Sequence, residues 1–333
     1  MSTIRVAING FGRIGRLTAR ALLKDSNIKL VAINDISDAQ TMSHLFKYDS
    51  VQGRFNGEVS YEENALIIND EVIYLYSCKD PANLPWKDLN IDVVIESTGK
   101  FRTLEDASKH ITAGAKKVML SAPPKSKGIK QVVLGINDDM ITDDDLVVSN
   151  ASCTTNCAAP VVDVIQKHYK IEKAILSTTH AYTSDQRLHD APHKDLRRAR
   201  AAAQNIIPTS TGASVALENI FPSLQGKLSG SALRVPVSSG SITELTFLLA
   251  QEVSADEVNL KIKEAAKGKF KGIMEYTEDL IVSSDIIGNT HSSVFDANLT
   301  LAMGNLIKVS AWYDNETGYS TRLSDLVVKG LFK

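Results

Sequence analysis

The sequence predicts an α/β protein of two domains, a parallel-sheet domain followed by an α+β domain whose mixed sheet is mostly antiparallel. The first half alternates short β-rich runs with helical patterns, which is typical of parallel strands joined by crossover helices. The second half has longer strand candidates and fewer helices. The length of 333 residues agrees with two domains, because a single core rarely grows past about 250–300 residues.

In the first half, five short runs of β-forming residues end in small or polar residues. They predict strands at residues 4–9, 29–34, 93–97, 118–121 and 146–149. Helical patterns at residues 13–24 and 104–113 lie between these runs. Residues 54–76 interrupt the alternation and predict a small antiparallel excursion.

The second half begins with a helical pattern at residues 156–169, and a second one covers residues 256–267. Its predicted strands lie at residues 173–179, 233–237, 244–250, 292–296 and 306–313. This change of pattern places the domain boundary after residue 151. The tail from residue 318 has apolar residues at helical spacing and can pack on either domain.

The composition is that of an ordinary globular chain, with 43% hydrophobic and 23% charged residues. Its 37 basic and 39 acidic residues give a net charge of −2, which offers no overall attraction to nucleic acid or to an anionic membrane. No apolar run reaches the length of a membrane span, and no secretory leader precedes the first predicted strand. The three cysteines argue against a disulfide framework. We therefore expect a cytoplasmic protein with no nucleic-acid or membrane partner.

A glycine-rich loop at residues 10–15, GFGRIG, follows the first predicted strand and opens a helical pattern. The second strand ends at Asn34 and Asp35, and Asp35 lies 20 residues after Gly15. Such glycines let a pyrophosphate approach the amides at a helix N-terminus, and Asp35 can accept hydrogen bonds from a ribose. This context predicts a Rossmann-type dinucleotide-binding domain. The alternative is an α/β turn that binds no phosphate.

Cys153 lies between a predicted strand and a predicted helix. A helix N-terminus favours a thiolate, because its N–H groups are unsatisfied and its dipole end is positive. Cys153 is therefore the candidate nucleophile, although a cysteine with no other support is more often structural. Cys157, one turn further on, is expected to be a small buried hydrophobe. Two cysteines without a second pair do not make up a metal site, so no metal is expected.

His180 follows the predicted strand at residues 173–179, 27 residues beyond Cys153. An intervening helix and a returning strand can bring the two side chains together. A thiolate adds to an aldehyde to give a hemithioacetal, whose hydride can pass to a nicotinamide while His180 takes the hydroxyl proton. The product is a thioester, which keeps acyl-transfer potential for a second nucleophile. As an imidazolium, His180 would also stabilise the thiolate.

Polar and basic residues beyond His180 are candidates for binding anionic substrate groups. They are Thr183, Ser184, Asp185, residues 194–200 with Arg197, Arg198 and Arg200, residues 209–212, and Arg234. A solvated or subunit-contact face is the more common explanation of a basic run alone. Arg234 differs, because it lies in an apolar strand where an unpaired charge is costly and a bound anion is a reasonable partner.

Four stretches together resemble the glyceraldehyde-3-phosphate dehydrogenase family, and the likeness runs from one end of the chain to the other. They are residues 8–16 (INGFGRIGR), 151–157 (ASCTTNC), 179–203, and 312–319 (WYDNETGY). The resemblance implies an NAD-dependent oxidative phosphorylation of D-glyceraldehyde 3-phosphate to 1,3-bisphosphoglycerate, a glycolytic step. Cys153 would be the nucleophile and His180 the base in an α+β catalytic domain.

The same resemblance assigns residues to the substrate, the phosphate and the cofactor. For substrate and inorganic phosphate it implies Ser152, Thr154, Thr183, Asp185, Arg198, Thr211, Gly212 and Arg234. For NAD it implies Asn9, Gly10, Phe11, Gly12, Arg13, Ile14, Gly15, Asn34, Asp35, Thr98, Ser121, Asn315 and Tyr319. Among these, Asn315 would fix the nicotinamide carboxamide and Tyr319 would pack beside the ring. The family forms homotetramers in which residues from about 182 to 205 reach a neighbour's cofactor, and its C-terminal helix, about 316–333, rejoins the first domain.

Two stretches depart from the family pattern. After Pro236 the family usually continues with threonine, proline and asparagine, whereas this chain has Val237-Ser238-Ser239-Gly240-Ser241. Residues 213–216, Ala-Ser-Val-Ala, also lack a lysine that is common there. These changes bear on sheet and subunit contacts and on phosphate affinity. They leave the candidate catalytic residues intact.

Two other functions stay open at this stage. An erythrose-4-phosphate dehydrogenase would share the thiol and the histidine but release a free acid, and residues 209–212 favour the phosphate-using enzyme. A cofactor-sensing protein of the same fold would lack turnover. Asp35 predicts a preference for NAD over NADP, whereas Ala191-Pro192 is intermediate between leucine-proline of strict NAD enzymes and alanine-serine of those accepting NADP.

Overall fold

The computed structural model describes residues 3–331, which form two compact units. The first unit comprises the chain up to Ala151 together with the residues from Ser320 onward, and the second comprises Ser152–Tyr319. Each unit is built on one sheet of its own. The fold class predicted from the sequence is confirmed.

The first unit contains a nine-stranded sheet in the order β3-β4-β5-β2-β1-β6-β7-β9-β8. Its strands are β1 Ile4–Asn9, β2 Ile28–Asn34, β3 Val59–Glu62, β4 Ala65–Ile68, β5 Glu71–Tyr76, β6 Val93–Glu96, β7 Lys117–Leu120, β8 Lys130–Gln131 and β9 Val147–Ser149. Its helices are α1 Arg13–Leu22, α2 Ala39–Lys47 and α3 Leu104–Thr112. Only the β3-β4-β5 pairings are antiparallel, which confirms the predicted excursion.

Parallel pairing brings the carboxyl ends of the central strands to one edge of this sheet. Asn9, the last residue of β1, is paired with Asn34 on one side and Glu96 on the other. The parts of β1 and β2 that lead to this edge are buried, as shown by Val6, Ala7 and Ile8. Their near-continuous apolar runs fit a sheet that is covered on both faces. Polar residues at this edge are thus available to a ligand.

The second unit contains a seven-stranded mixed sheet in the order β11-β12-β10-β13-β16-β15-β14. Its strands are β10 Ile171–Ala181, β11 Ile207–Thr209, β12 Leu228–Val235, β13 Ser241–Leu249, β14 Met274–Thr277, β15 Ser293–Met303 and β16 Leu306–Tyr313. Its helices are α4 Cys153–His168, α5 Ala213–Ile220 and α6 Ala255–Lys267, and α7 Thr317–Leu326 begins in this unit. The β10-β12 and β14-β15 pairings are parallel and the others antiparallel.

The structure moves several predicted boundaries. Helix α4 begins at Cys153 rather than at residue 156, because Ser152 caps it by accepting a hydrogen bond from Thr155 N at 3.1 Å. Strand β12 begins at Leu228, ahead of the predicted start at residue 233, since its polar alternation hides the pattern. Helices α2 and α5 and strand β14 were not predicted. They are short segments whose pattern alone does not separate them from loops.

Candidate active site

The centre of the candidate site is a thiol–imidazole pair in the second unit. Cys153 is the first residue of α4, and His180 is the last but one of β10. The Cys153 Sγ lies 3.4 Å from His180 Nε2. The helix and the returning strand between them therefore bring the two side chains together, as the sequence spacing suggested.

The backbone before Cys153 is held in an unusual conformation. Ala151 has a φ of 52° although it is not glycine, a conformation that costs about 1–3 kcal/mol. Ser152 then adopts extended dihedrals and caps α4. The capped N-terminus places Cys153 beside the N–H groups of the first turn, where a negative charge on sulfur is favourable.

Arg234 lies directly against His180. The two residues are register partners in the parallel β10-β12 pair. Arg234 Nη1 is 2.7 Å from His180 Nδ1 and donates to Ala181 O at 2.9 Å. Burial, aided by the Arg234 charge, lowers the pKa of His180 to about 3. The neutral imidazole is thus favoured near pH 7, and the imidazolium expected from the sequence is not what this environment favours.

The thiol experiences opposing effects. Burial raises the pKa of the Cys153 thiol, while the Arg234 guanidinium and the Thr154 N–H stabilise the thiolate. Cys157 is fully buried, as predicted, and burial raises its pKa to about 12. Of the two cysteines in α4, only Cys153 therefore has a partner that can take its proton and a cation that stabilises its anion.

A second cluster of polar side chains lies beside Arg234. The Thr183 hydroxyl donates to the Asp185 carboxylate, which also accepts from Arg198 Nη1 at 2.7 Å. Arg198 Nε donates to Thr209 Oγ1 at 2.9 Å. Burial opposes ionisation of Asp185, but the Thr183 hydroxyl, Arg234 and Arg198 outweigh it and lower its pKa. Two guanidinium groups thus share one carboxylate, which leaves charge available for an anion.

Tyr313 makes further contacts around the thiol–imidazole pair, and no role was predicted for it from the sequence. Its hydroxyl lies 2.8 Å from Thr154 Oγ1 and 3.0 Å from Thr178 Oγ1. Its ring meets the His180 ring edge-on, with the centroids 5.9 Å apart. Burial raises the pKa of Tyr313, so it remains a neutral wall of the site. Its position next to Asp314 and Asn315 in residues 312–319 was the available signal.

Thr211 and Gly212 lie at the start of α5. Gly212 occupies the N-cap position without a side-chain hydrogen bond, and Thr211 Oγ1 accepts from Ala213 N at 3.2 Å. Within residues 3–331, Thr211 forms no hydrogen bond with Cys153 or His180. The structure therefore leaves these two residues outside the hydrogen-bonded group around the thiol.

The glycine loop in the first unit leaves space for a phosphate group. Gly10 has a φ of +95°, and a Cβ there would lie 2.7 Å from Thr98 N. A Cβ on Gly15 would lie 2.1 Å from Gly10 O. Gly12 is the N-cap of α1, with no side-chain cap and no atom within 4 Å of its ideal Cβ. The absence of a capping side chain and the open space at Gly12 fit the pyrophosphate of a dinucleotide.

Asp35 is fixed at the end of β2 by this loop. Its Oδ2 accepts from Phe11 N at 2.6 Å and its Oδ1 from Ser37 N at 2.9 Å. Both oxygens keep a further lone pair for the ribose hydroxyls. The neighbouring Arg13 pairs with Asp49 at 3.2 Å, and Ile14 follows it in the first turn of α1.

A buried hydrogen-bond network supports the loop, and its centre, Glu96, was not predicted from the sequence. Glu96 accepts from Asn9 Nδ2 at 2.5 Å and from the backbone and hydroxyl of Thr98. Trp86 Nε1 donates to His110 Nδ1 at 3.0 Å. His110 therefore carries its proton on Nε2, which faces Glu96 Oε2 at 3.2 Å.

The predicted NAD residues fall into two groups. Asn34 joins the network by donating to Asn9 Oδ1 at 2.7 Å, and Ser121 follows β7 with its N–H donating to Glu96 O. These residues share one edge of the first sheet. Asn315 and Tyr319 belong to the second unit and are both buried.

Among residues 3–331, no group of three or more His, Cys, Asp or Glu side chains is placed to hold a metal ion. The same residues contain no helix that is both long and apolar enough to cross a bilayer.

The fold and these two sites define the chain as an NAD-dependent oxidoreductase. The family model of the glyceraldehyde 3-phosphate dehydrogenase NAD-binding domain matches residues 4–104, and that of the C-terminal domain matches residues 152–315. Glyceraldehyde-3-phosphate dehydrogenase of Streptomyces coelicolor is 53% identical over 330 residues, which is 98% of each chain. The enzyme of Geobacillus stearothermophilus is 50% identical over 97% of each chain. The chain belongs to the glyceraldehyde-3-phosphate dehydrogenase family.

A matched pair of glycine substitutions separates folding from phosphate binding in this loop. Gly15→Ala is expected to lower the melting temperature, because its Cβ would overlap Gly10 O. Gly12→Ala should leave the melting temperature unchanged and weaken NAD binding about ten-fold or more, since the methyl group would occupy the phosphate space. Thermal unfolding and calorimetric titration with NAD measure both effects. Tight NAD binding by Gly12→Ala would contradict this placement of the pyrophosphate.

Proposed function

We propose that this chain catalyses the NAD-dependent oxidative phosphorylation of D-glyceraldehyde 3-phosphate to 1,3-bisphosphoglycerate, a step of glycolysis. The observation that carries the proposal is the 3.4 Å contact between Cys153 Sγ and His180 Nε2, with Arg234 against the same imidazole. A thiol with a base supports a thioester route, and flanking arginines support an anionic substrate.

In the proposed reaction, the Cys153 sulfur adds to the aldehyde carbon while the thiol proton passes through His180 to the new hydroxyl group. A bound NAD would supply the acceptor for the hydride of the resulting hemithioacetal. His180 Nε2 takes the hydroxyl proton as the thioester forms. Inorganic phosphate then attacks the thioester carbonyl, the C–S bond breaks, and the sulfur is reprotonated. The low pKa of His180 favours the neutral imidazole, and Nδ1, which lies 2.7 Å from Ala181 O, can hold the single ring proton, so Nε2 is unprotonated before the hydride leaves.

Arg234 and Thr183 are proposed to hold the phosphate of the substrate. Ser152, Thr154, Thr211 and Gly212 are proposed to receive the attacking phosphate, with Arg198 and Asp185 nearby. The start of α5 supports this, because Gly212 has no capping side chain and the first-turn N–H groups beyond that of Ala213, which donates to Thr211 Oγ1, can face an anion. A phosphate beside Arg234 would also offset the positive charge that lowers the pKa of His180 and make that base stronger.

The two units are proposed to carry separate roles, NAD binding by residues 1–151 and catalysis by residues 152–315. The C-terminal segment, about residues 316–333, is assigned to the NAD-binding domain. We further propose a cytoplasmic homotetramer in which residues 182–205 contact a neighbour. The exposure of Leu188 and Leu196 supports this contact. Light scattering should give the mass of four chains, and a monomer mass would contradict the assembly.

The reaction is tested by following NADH formation with two aldehydes, with and without inorganic phosphate. Glyceraldehyde 3-phosphate with phosphate should give the highest kcat/KM, and omitting phosphate should stop turnover after one equivalent of NADH. Faster, phosphate-independent turnover of erythrose 4-phosphate would favour the erythrose-4-phosphate dehydrogenase alternative. Absence of turnover with both aldehydes would favour the NAD-sensing alternative.

Two substitutions test the roles within the thiol–imidazole pair. Cys153→Ala should abolish aldehyde oxidation and leave NAD binding nearly unchanged, because only the thiol can hold the acyl group. His180→Asn should slow hydride transfer by roughly 10²–10⁴-fold, the usual effect of losing a general base. Single-turnover NADH formation measures both, and Cys157→Ala is the matched thiol control. Substantial turnover by Cys153→Ala would rule out the thioester route.

The enzyme is expected to prefer NAD to NADP because of Asp35. A 2′-phosphate would remove a ribose donor and place its charge near this carboxylate. Unit charges at about 4 Å repel by roughly 4 kcal/mol at an effective dielectric of 20. After rearrangement, a penalty of about 1–3 kcal/mol would correspond to about ten-fold or more in affinity. Equal kcat/KM for NAD and NADP would contradict this, and Asp35→Gly should narrow the preference.

A further inference from the structure

The segment from Val237 to Ser241, which departs from the family pattern, has a defined conformation. Gly240 has a φ of +87°, and a Cβ there would lie 2.1 Å from Ser283 O. No other residue type fits this position without a shift of the backbone. The turn at Gly240 presents two buried hydroxyl groups, those of Ser239 and Ser241, to the chain that follows β16.

Ser239 acts on the turn that carries Asn315. Its hydroxyl donates to Asp314 Oδ1 at 2.8 Å. The Asp314 carboxylate also accepts from the N–H groups of Gly288, Glu316 and Thr317. Ser239 therefore helps to fix the backbone on which Asn315 sits, whereas its distance to Asn315 Oδ1 is 3.5 Å.

Ser241 acts on the Asn315 side chain itself. Its Oγ accepts from Ala181 N at 3.1 Å, so its own proton is free to point at Asn315 Oδ1, 2.8 Å away. Reversing the amide would direct Asn315 Nδ2 at the remaining lone pair of Ser241 Oγ and leave the Ser241 proton without an acceptor within residues 3–331. The present orientation, in which Ser241 donates to Asn315 Oδ1, is therefore favoured.

This orientation leaves the amine of Asn315 as the group available to a ligand. Asn315 is 4% exposed, yet within residues 3–331 its Nδ2 has no hydrogen-bond acceptor. The two Nδ2 hydrogens are thus available to a ligand acceptor. The complementary ligand group is a carbonyl oxygen.

We propose that Ser241 is a positioning residue that fixes the Asn315 amide with Nδ2 as the donor, so that the enzyme recognises the carbonyl oxygen, and not the amine, of the nicotinamide carboxamide. This inference rests on the proposed function, in which Asn315 binds the nicotinamide. Ser241 also bonds to Ala181, the residue after His180, so one hydroxyl holds the end of the base-bearing strand and the cofactor-facing amide together.

The test compares dissociation constants of NAD and 3-acetylpyridine adenine dinucleotide, which keeps the carbonyl and replaces the amine with a methyl group. In Ser241→Ala the Asn315 amide can adopt both orientations. NAD should bind about 2- to 12-fold more weakly, the net worth of one hydrogen bond. The dissociation constant of the acetyl analogue should rise by roughly a further two-fold or more, because only one orientation of the Asn315 amide offers a donor to its carbonyl oxygen. Calorimetric titration gives both constants without turnover.

Two variants serve as controls. Ser241→Thr keeps the hydroxyl and should retain the unmodified ratio of the two constants. Ser310→Ala removes a buried hydroxyl of the same sheet that has no partner within residues 3–331, and it should leave the ratio unchanged. Ser241→Cys, whose thiol is a weak donor, replaces Ser241→Ala should the latter fail to fold.

An unchanged ratio in both Ser241→Ala and Ser241→Cys would overturn the positioning role. An equal change in Ser310→Ala would overturn it as well, because the effect would then follow from loss of any buried hydroxyl. Failure of the unmodified chain to bind either dinucleotide would instead contradict the proposed function. That result is distinct from one in which both dinucleotides bind with an unchanged ratio of their dissociation constants.

Discussion

The contact between Arg234 and the His180 imidazole is the constraint on which the second unit's site depends. A buried guanidinium beside a base is unfavourable unless other groups compensate it. Here Ala181 O accepts from it, and Asp185 provides the nearby negative charge. The same cation stabilises a thiolate on Cys153 and adds to the effect of burial, which lowers the pKa of His180. Arg234 therefore influences the stability of the Cys153 thiolate, the basicity of His180 and the affinity of the site for an anion.

This arrangement links substrate charge to the strength of the base. Without an anion, Arg234 and Arg198 share Asp185, which bonds to Arg198 directly. A phosphate group near Arg234 would compete with that carboxylate and reduce the positive potential at His180. An uncharged aldehyde would lack this effect. Discrimination between phosphorylated and plain aldehydes can thus arise in the chemical step as well as in binding.

In the first unit, the glycine loop at residues 10–15 is held open for a ligand. Its glycines remove side chains where the backbone segments nearly touch, and Glu96 collects the donors of Asn9, Thr98 and His110 behind the loop. Gly12 has no side chain that could cap α1, so the start of this helix is open to a cofactor phosphate. The loop is therefore hydrogen-bonded on its buried side and open at Gly12.

The sequence by itself determined the fold class, the glycine loop with Asp35, and the thiol–histidine spacing. These features depend on local periodicity and on short-range turn chemistry, which a sequence shows directly. Tertiary structure alone decided that Arg234 meets His180, that His110 joins Glu96, and that Ser241 meets Asn315. Those contacts join residues 14 to 74 positions apart. They are set by sheet register and burial, which bring together groups that no local pattern connects.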